Sequence, residues 1–199
     1  LTLGFLTCIT FTVYFVLFSG VEVTNYPSQN TGLVAFGDSL VYGVGSTQGG
    51  GFVKMLSEEL GQPIVNLGVS GNTSEEALAR VNEVARRKPA VVIVLLGGND
   101  FLQRVSEQET FENLAKIIEA IHTSGAAVLL VGLESNSLDN DQAALFESLV
   151  DKYKTAYTPD ILDDIFGRTE FMSDELHPND KGYRLMAERI KPVLFKLLD

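Results

Sequence analysis

From Gly32 to the carboxyl end of the chain, short apolar runs alternate with longer amphipathic stretches. The apolar runs have the length of β-strands, and the run over residues 91–96 contains no polar position. Such a run is typical of a central parallel strand that is covered on both faces. We therefore predict four strands, at Leu33–Phe36, Ile64–Leu67, Ala90–Leu96 and Ala126–Val131.

The amphipathic stretches between these runs carry helix signals. The sequences Thr73-Ser74-Glu75-Glu76 and Ser106-Glu107-Gln108-Glu109 are capping boxes, which mark the start of a helix. The predicted helices cover residues 73–87, 108–124, 141–156 and 180–198, and Pro192 is expected to kink the last of them. Because strands and helices alternate with short connections, we expect one α/β domain with a doubly wound, flavodoxin-like parallel sheet flanked by helices.

Residues 1–21 contain no charged side chain. Because about 20 apolar residues span the hydrocarbon core of a membrane, this segment is predicted to be an uncleaved anchor or, alternatively, a signal peptide. The polar residues 22–31 are expected to form a tether, and residues 32–199 the folded domain. The first basic residue after the apolar segment is Lys54, and this lack of positive charge favours a domain outside the cytoplasm, in the periplasm or extracellular space.

The composition excludes several classes of function. A net charge of −11 argues against nucleic-acid binding, which needs a concentrated basic surface. The single cysteine, Cys8, cannot form an intramolecular disulfide. The two histidines, His122 and His177, lie far apart, and no Cys/His cluster has the spacing of metal ligands. We therefore expect neither a metal nor an organic cofactor.

Two loops carry the residue types of a nucleophilic site. Ser39 follows the first predicted strand in the sequence Gly-Asp-Ser-Leu, and ligands of open α/β sheets bind where the strands end. Asp174 and His177 lie three residues apart before the last helix, so that a tight loop can bring the carboxylate against the imidazole. The alternatives are an ordinary turn and a solvent-exposed histidine. His122, near the end of a helix, fits the latter and receives no catalytic role.

Two glycine-containing loops follow the second and third predicted strands. Gly71 lies in Ser-Gly-Asn-Thr before a capped helix, where backbone N–H groups and the helix dipole favour a negatively charged ligand atom. Asn99 lies in Gly-Gly-Asn-Asp, at the end of the central strand, where its side-chain amide can donate to an oxyanion. An ordinary turn that uses the conformational tolerance of glycine and asparagine is the alternative for each loop. Asp38 and Asp100, beside these motifs, are expected to build a turn and to anchor a loop.

Read together, the four blocks resemble the GDSL family of esterases and lipases, also called SGNH hydrolases, and within it the branch similar to bacterial thioesterase I/lysophospholipase L1 and arylesterases. The blocks occur in family order throughout the predicted domain. The resemblance implies a three-layer α/β/α fold and a catalytic triad of Ser39, His177 and Asp174. It also implies an oxyanion hole formed by the backbone N–H groups of Ser39 and Gly71 and by the side-chain amide of Asn99.

The resulting hypothesis is a serine hydrolase that transfers the acyl group of a carboxylic ester, a thioester or a lysophospholipid to water. A carbohydrate O-deacetylase or an acyltransferase of the same family is an alternative, as is a non-catalytic binding module on this fold. The expected partner is a small acyl ester or a lipid, and an anchor near a membrane slightly favours the lipid. Helix 108–124 and the loop after Val131, with Leu133 and Leu138, are expected to shape the acyl pocket. The oligomeric state is not predicted.

Overall fold

The computed structural model describes residues 22–133 and 140–199. Five parallel strands form a sheet in the order β2-β1-β3-β4-β5. This is the strand order of a flavodoxin-like doubly wound sheet, so the predicted fold class is confirmed. The strands are β1 (Gly32–Gly37), β2 (Ile64–Gly68), β3 (Pro89–Leu95), β4 (Ala127–Val131) and β5 (Ala156–Thr158).

Helices cover both faces of the sheet. Within the described ranges they are α1 (Ser39–Tyr42), α2 (Gly51–Leu60), α3 (Ser74–Ala79), α4 (Asn82–Ala85), α5 (Gly98–Gln103), α6 (Glu107–Thr123), α7 (Asn140–Tyr153) and α8 (Asp180–Lys196). Helices α2 and α8 pack on one face, whereas α3, α4, α6 and α7 pack on the other. The result is the expected three-layer α/β/α arrangement.

The central strand β3 explains why the sheet is buried on both sides. All of its residues are buried, and successive side chains point to opposite faces. Ile93 and Leu95 belong to one apolar cluster, whereas Val92 and Val94 belong to the other. Full burial of an aliphatic side chain of this size contributes about 1.5–3 kcal/mol, so the two clusters hold the three layers together.

The structure departs from the predicted elements at several places. The helix predicted over 141–156 ends at Tyr153, because Lys154 has a φ of 53°, and a fifth strand follows at Ala156–Thr158. The helix predicted over 73–87 is divided into α3 and α4. Helix α2 was not predicted, and its N-cap, Gly50, makes no side-chain capping bond that a sequence motif would announce. Helix α8 continues through Pro192.

Residues 24–30 lie along the edge of the sheet at which the strands begin, which we call the amino edge. The Asn25 side chain donates to the carbonyls of His122 and Ala126, at 2.8 and 3.0 Å. Asn30 donates to the carbonyl of Pro89, the first residue of β3, at 3.1 Å. This part of the segment predicted as a tether is therefore hydrogen-bonded to the domain.

The anchor or signal segment predicted over residues 1–21 lies outside the described residues. In the two ranges that the structure covers, no helix combines the length and the hydropathy needed to cross a membrane. The position of the domain outside the cytoplasm stays a prediction.

We expect Gly37→Ala to destabilise the protein, since β1 ends here in very close contact with its neighbours. A Cβ at this position would lie 2.2 Å from the Leu95 carbonyl oxygen and 2.4 Å from Val41 Cγ2. Overpacking of this kind should lower the free energy of unfolding by about 3 kcal/mol in urea denaturation. Gly32→Ala, in the same strand, is the matched control, because its nearest atoms lie at 3.6 Å. Equal stability of the two variants would contradict the prediction.

Candidate active site

Three of the predicted site residues form one chain of hydrogen bonds. Ser39 is the first residue of α1, in the nucleophile loop (residues 38–46), and its Oγ lies 3.1 Å from Nε2 of His177. The other ring nitrogen, Nδ1, lies 3.0 and 2.9 Å from the two carboxylate oxygens of Asp174. The structure therefore aligns a hydroxyl, an imidazole and a carboxylate in the order that nucleophilic catalysis requires.

The histidine loop (residues 173–178) is shaped by the carboxylate of Asp174. Its Oδ1 accepts the backbone N–H groups of Leu176 and His177, both at 2.8 Å, and the Ser173 N–H closes the loop on the His177 carbonyl at 2.8 Å. These hydrogen bonds lower the pKa of Asp174 to about 2. The backbone N–H of Leu176 has the largest effect, followed by the side chain and the backbone N–H of His177. Asp174 is therefore an anion at neutral pH.

The nucleophile loop packs directly against the histidine loop. Gly45 has a φ of 90°, and a Cβ on it would lie 2.2 Å from Ser173 Oγ and 2.4 Å from the Pro178 carbonyl oxygen. Only a residue without a side chain allows this approach. The Tyr183 hydroxyl, buried on α8, donates to the Val44 carbonyl at 2.7 Å. These contacts fix the position of the nucleophile loop relative to the histidine loop, and so that of Ser39 relative to His177.

Asp38 is a buried carboxyl beside the serine, only 2% exposed. Its Oδ1 accepts the Leu40 N–H at 2.9 Å and so caps α1, as expected of a turn-building residue. Burial raises the pKa of Asp38 to about 6, although the Leu40 N–H and His177 act in the opposite direction. Its Oδ2 also accepts the side-chain amide of Asn99 at 3.3 Å, a contact that the sequence did not indicate.

Asn99 lines a cleft together with Ser39 and His177. Besides its contact with the carboxylate, its Nδ2 donates to the Asn72 carbonyl at 3.0 Å, and this ties the first turn of α5 to the loop after β2. Gly71, directly before Asn72, is exposed and has a φ of 83°. Gly71 adjoins the site but is not one of the residues that line the cleft.

Asp100 anchors the loop after β3, as the sequence predicts. Its carboxylate is 1% exposed and accepts the backbone N–H of Ser74 at 2.9 Å and the hydroxyl of the same residue. The Thr110 hydroxyl adds a third donor at 3.3 Å. The start of α3 is thereby bonded to the end of the central strand.

An apolar cleft of about 170 Å³ opens at the serine. Its large apolar lining residues are Leu40, Phe101, Leu102, Leu133, Leu162, Phe166 and Leu176. Of these, only Leu133 was predicted. The helix predicted over 108–124 contributes none of the residues that line the cleft, and Phe101 and Leu102 of the shorter helix α5 line its wall instead. Leu138 and the loop positions 134–136 lie outside the described residues.

His122 lies at the amino edge, where its carbonyl accepts the Asn25 amide. Burial lowers the pKa of its half-buried imidazole. Among the residues covered by the structure, no group of three or more His, Cys, Asp and Glu side chains could hold a metal ion.

Comparison with known proteins shows the family of the chain. A model of the GDSL-like Lipase/Acylhydrolase family matches residues 35–185. The chain belongs to this family. It is thus a GDSL-type hydrolase that acts on ester bonds.

Similar proteins cover most of the GDSL domain. Esterase TesA of Pseudomonas aeruginosa is 30% identical over 178 residues, which cover 83% of this chain and 89% of that protein. Thioesterase 1/protease 1/lysophospholipase L1 of Escherichia coli K12 is 25% identical over 175 residues, covering 81% and 84%. A crystal structure of TesA has a TM-score of 0.78 and 29% identity, and the match covers 84% of this chain and 99% of that one.

We expect Asp38→Asn to change how stability depends on pH. With a pKa raised from 3.8 to about 6, Asp38 keeps its proton in the folded state where the unfolded chain has lost it. The free energy of unfolding of the wild type, relative to the variant, should therefore fall by about 3 kcal/mol between pH 4 and 6 and stay level above. Urea denaturation across this range measures the difference.

Asp174→Asn is the control, because the pKa of Asp174 is shifted in the direction opposite to that of Asp38. The pKa of Asp174 is lowered to about 2, so its contribution is complete above pH 4 and is lost as the pH falls through 2. This variant should keep the wild-type slope between pH 4 and 6. Parallel stability curves for the wild type and Asp38→Asn would contradict the assignment.

Proposed function

We propose that this protein hydrolyses carboxylic esters, among which we include acyl thioesters and lysophospholipids, with Ser39 as nucleophile, His177 as general base and acid, and Asp174 as the residue that orients the histidine. The observation that carries the proposal is the hydrogen-bonded chain in which Ser39 Oγ lies 3.1 Å from His177 Nε2 and Nδ1 lies 2.9 Å from Asp174. Each step of acyl transfer needs one of these contacts.

In the first step, His177 Nε2 takes the proton of Ser39 as Oγ attacks the carbonyl carbon of the ester. The imidazolium that forms is stabilised by the carboxylate of Asp174, whose low pKa keeps it charged. The histidine then donates the same proton to the departing alkoxide, and an acyl-serine remains.

The negative oxygen of the tetrahedral intermediate needs hydrogen-bond donors that are already in position. We assign this role to the backbone N–H groups of Ser39 and Gly71 and to Nδ2 of Asn99. The bond from Asn99 to Asp38 is long, at 3.3 Å, so its hydrogen is the one available to an arriving oxyanion. One such donor is worth about 10²–10³ in kcat.

Deacylation repeats the sequence with water. His177 Nε2 accepts a proton from a water molecule that attacks the acyl carbon, and Ser39 Oγ leaves with that proton. An acyltransferase would admit an alcohol in place of water at this step. Phe101 and Leu102 in the wall of the cleft are 52% and 54% exposed, so water reaches the cleft on this side, which favours hydrolysis.

The cleft favours an apolar substituent over a sugar. Seven large apolar side chains line it, and four of them, Phe101, Leu102, Phe166 and Leu176, are at least 43% exposed and free to cover an acyl chain or an aromatic ring. The names of similar proteins include an esterase, a thioesterase and a lysophospholipase, so an acyl ester, an acyl thioester or a lysophospholipid is the proposed substrate class.

We expect Ser39→Ala to lower kcat for p-nitrophenyl butyrate by about 10⁶, because the nucleophile is removed. Mass spectrometry after treatment with a fluorophosphonate should find the adduct on Ser39 of the wild type and none on the variant. Ser148→Ala, an exposed serine on α7, is the matched control and should keep wild-type activity.

The two histidines give a second pair of variants. His177→Gln should be as inactive as Ser39→Ala, whereas His122→Gln should retain activity, since His122 lies at the amino edge. A folded Ser39→Ala protein that still hydrolyses the ester at the native rate would reject the proposed mechanism. If the folded wild type neither hydrolysed p-nitrophenyl esters nor reacted with the fluorophosphonate, the non-catalytic binding module would be favoured.

We expect Phe166→Ala to act on long acyl chains only. Phe166 lies in the cleft wall and is 43% exposed, so its ring is available to a bound chain. Its loss should raise KM for p-nitrophenyl octanoate by about tenfold, equivalent to about 1.4 kcal/mol, and leave the acetate unaffected. Leu198→Ala, an apolar residue of similar exposure near the carboxyl end, is the control. An equal effect on acetate and octanoate would remove Phe166 from the acyl site.

A further inference from the structure

The Arg80 guanidinium, directly after α3, is bonded to three separate segments of the chain. Its Nε donates to Asn72 Oδ1 at 2.7 Å, its Nη1 to the Leu67 carbonyl at 2.9 Å and its Nη2 to the Gly37 carbonyl at 2.8 Å. These acceptors lie in the loop after β2, near the end of β2 and at the end of β1. One side chain therefore joins three segments at the carboxyl edge of the sheet.

The surroundings of Arg80 favour a guanidinium over other cations. Its central carbon lies 4.4 Å from the centroid of the Phe36 ring, so the planar group stacks on an aromatic face. All three acceptors are uncharged oxygens that point at different nitrogens of the fork. A lysine presents a single ammonium on a flexible stem and cannot reproduce three divergent bonds.

Each segment that Arg80 holds leads to a proposed oxyanion donor. The end of β1 leads directly into the nucleophile loop and the N–H of Ser39. Asn72 directly follows Gly71, so the hydrogen bond from Arg80 to the Asn72 side chain also restrains the position of the Gly71 N–H. The backbone carbonyl of Asn72 also accepts Nδ2 of Asn99 at 3.0 Å. Each of the three donors is thus linked to the guanidinium through Gly37 or Asn72.

We propose that Arg80 is a positioning residue that sets the separations among the three donors of the oxyanion hole. This inference rests on the proposed function. Arg80 touches neither the serine nor the histidine, and it is not a lining residue of the cleft. Its contribution therefore belongs to the transition state, in which donors must converge on one oxygen, and not to the binding of the substrate.

The test compares Arg80→Lys and Arg80→Leu with the wild type. For p-nitrophenyl butyrate, kcat should fall by about 10- to 100-fold in both, with KM within about twofold, because a displaced donor weakens only the transition state. A trifluoromethyl ketone forms an adduct with a serine that carries an oxyanion. Its inhibition constant should rise across the variants in proportion to the loss of kcat/KM.

The control is a second arginine that binds backbone carbonyls. Arg189 donates to the carbonyls of Ile161 and Asp160 at 2.9 and 3.4 Å, away from the three donor segments. Arg189→Lys should lower Tm to a similar extent as Arg80→Lys and keep wild-type kcat and ketone inhibition. Asn99→Ala, which removes one donor outright, provides the upper bound for the loss of kcat.

Three outcomes would overturn the proposal. Wild-type kcat and ketone inhibition in Arg80→Lys would show that the donors do not depend on the guanidinium. If Arg80→Leu raised KM as much as it lowered kcat, or if Arg189→Lys lowered kcat to the same extent, the role of Arg80 would be purely structural. A wild type without Ser39-dependent hydrolysis would reject the proposed function and this inference with it, and that result is known before any Arg80 variant is made.

Discussion

The parallel register of β1 with its two neighbours determines where the site forms. Gly37, the last residue of β1, pairs with Gly68 on one side and with Leu95 on the other, so three strands end at one level. The loops that follow carry the serine, the Gly71 segment and Asn99, although these residues are far apart in sequence. Since the side chains of β1 and β3 pack in one apolar cluster on each face, a slip by one residue would move every side chain into the other cluster and disrupt the packing of both. Register, held by burial, is thus the condition for the geometry of the site.

Two carboxylates of the same chemical type acquire opposite properties within this geometry. Asp174 is exposed, accepts two backbone N–H groups and the imidazole, and has a lowered pKa. Asp38 is buried with one backbone N–H, and desolvation raises its pKa to about 6. Around the serine, the permanent anion therefore lies on the histidine side. The carboxyl that changes protonation near neutral pH lies on the side of the Asn99 amide.

The sequence was sufficient where function depends on neighbours in the chain. Asp174 and His177 meet across a loop of three residues, and the capping box at Thr73 closes locally on Glu76. The sequence was insufficient where contacts between residues that are distant in the chain determine the structure. Strand β5 has three residues and exists through its pairing with β4, so the sequence did not predict it and the predicted helix ran to its first residue, Ala156. The acceptors of Arg80 lie up to 43 residues away, and the residues that line the cleft come from five separate segments of the chain, so neither arrangement leaves a periodic signal.

The amino edge has a consequence for how substrate approaches. Residues 24–30 lie where the strands begin, whereas the serine lies where they end, and the seven residues of β3 separate the two edges by about 23 Å. Whatever precedes residue 22 is joined to the side of the domain opposite the cleft. If residues 1–21 anchor the chain in a membrane as predicted, the bilayer would adjoin the side of the domain opposite the cleft. Esters would then reach the serine from the aqueous compartment, and a lipid of that same bilayer would first have to leave it.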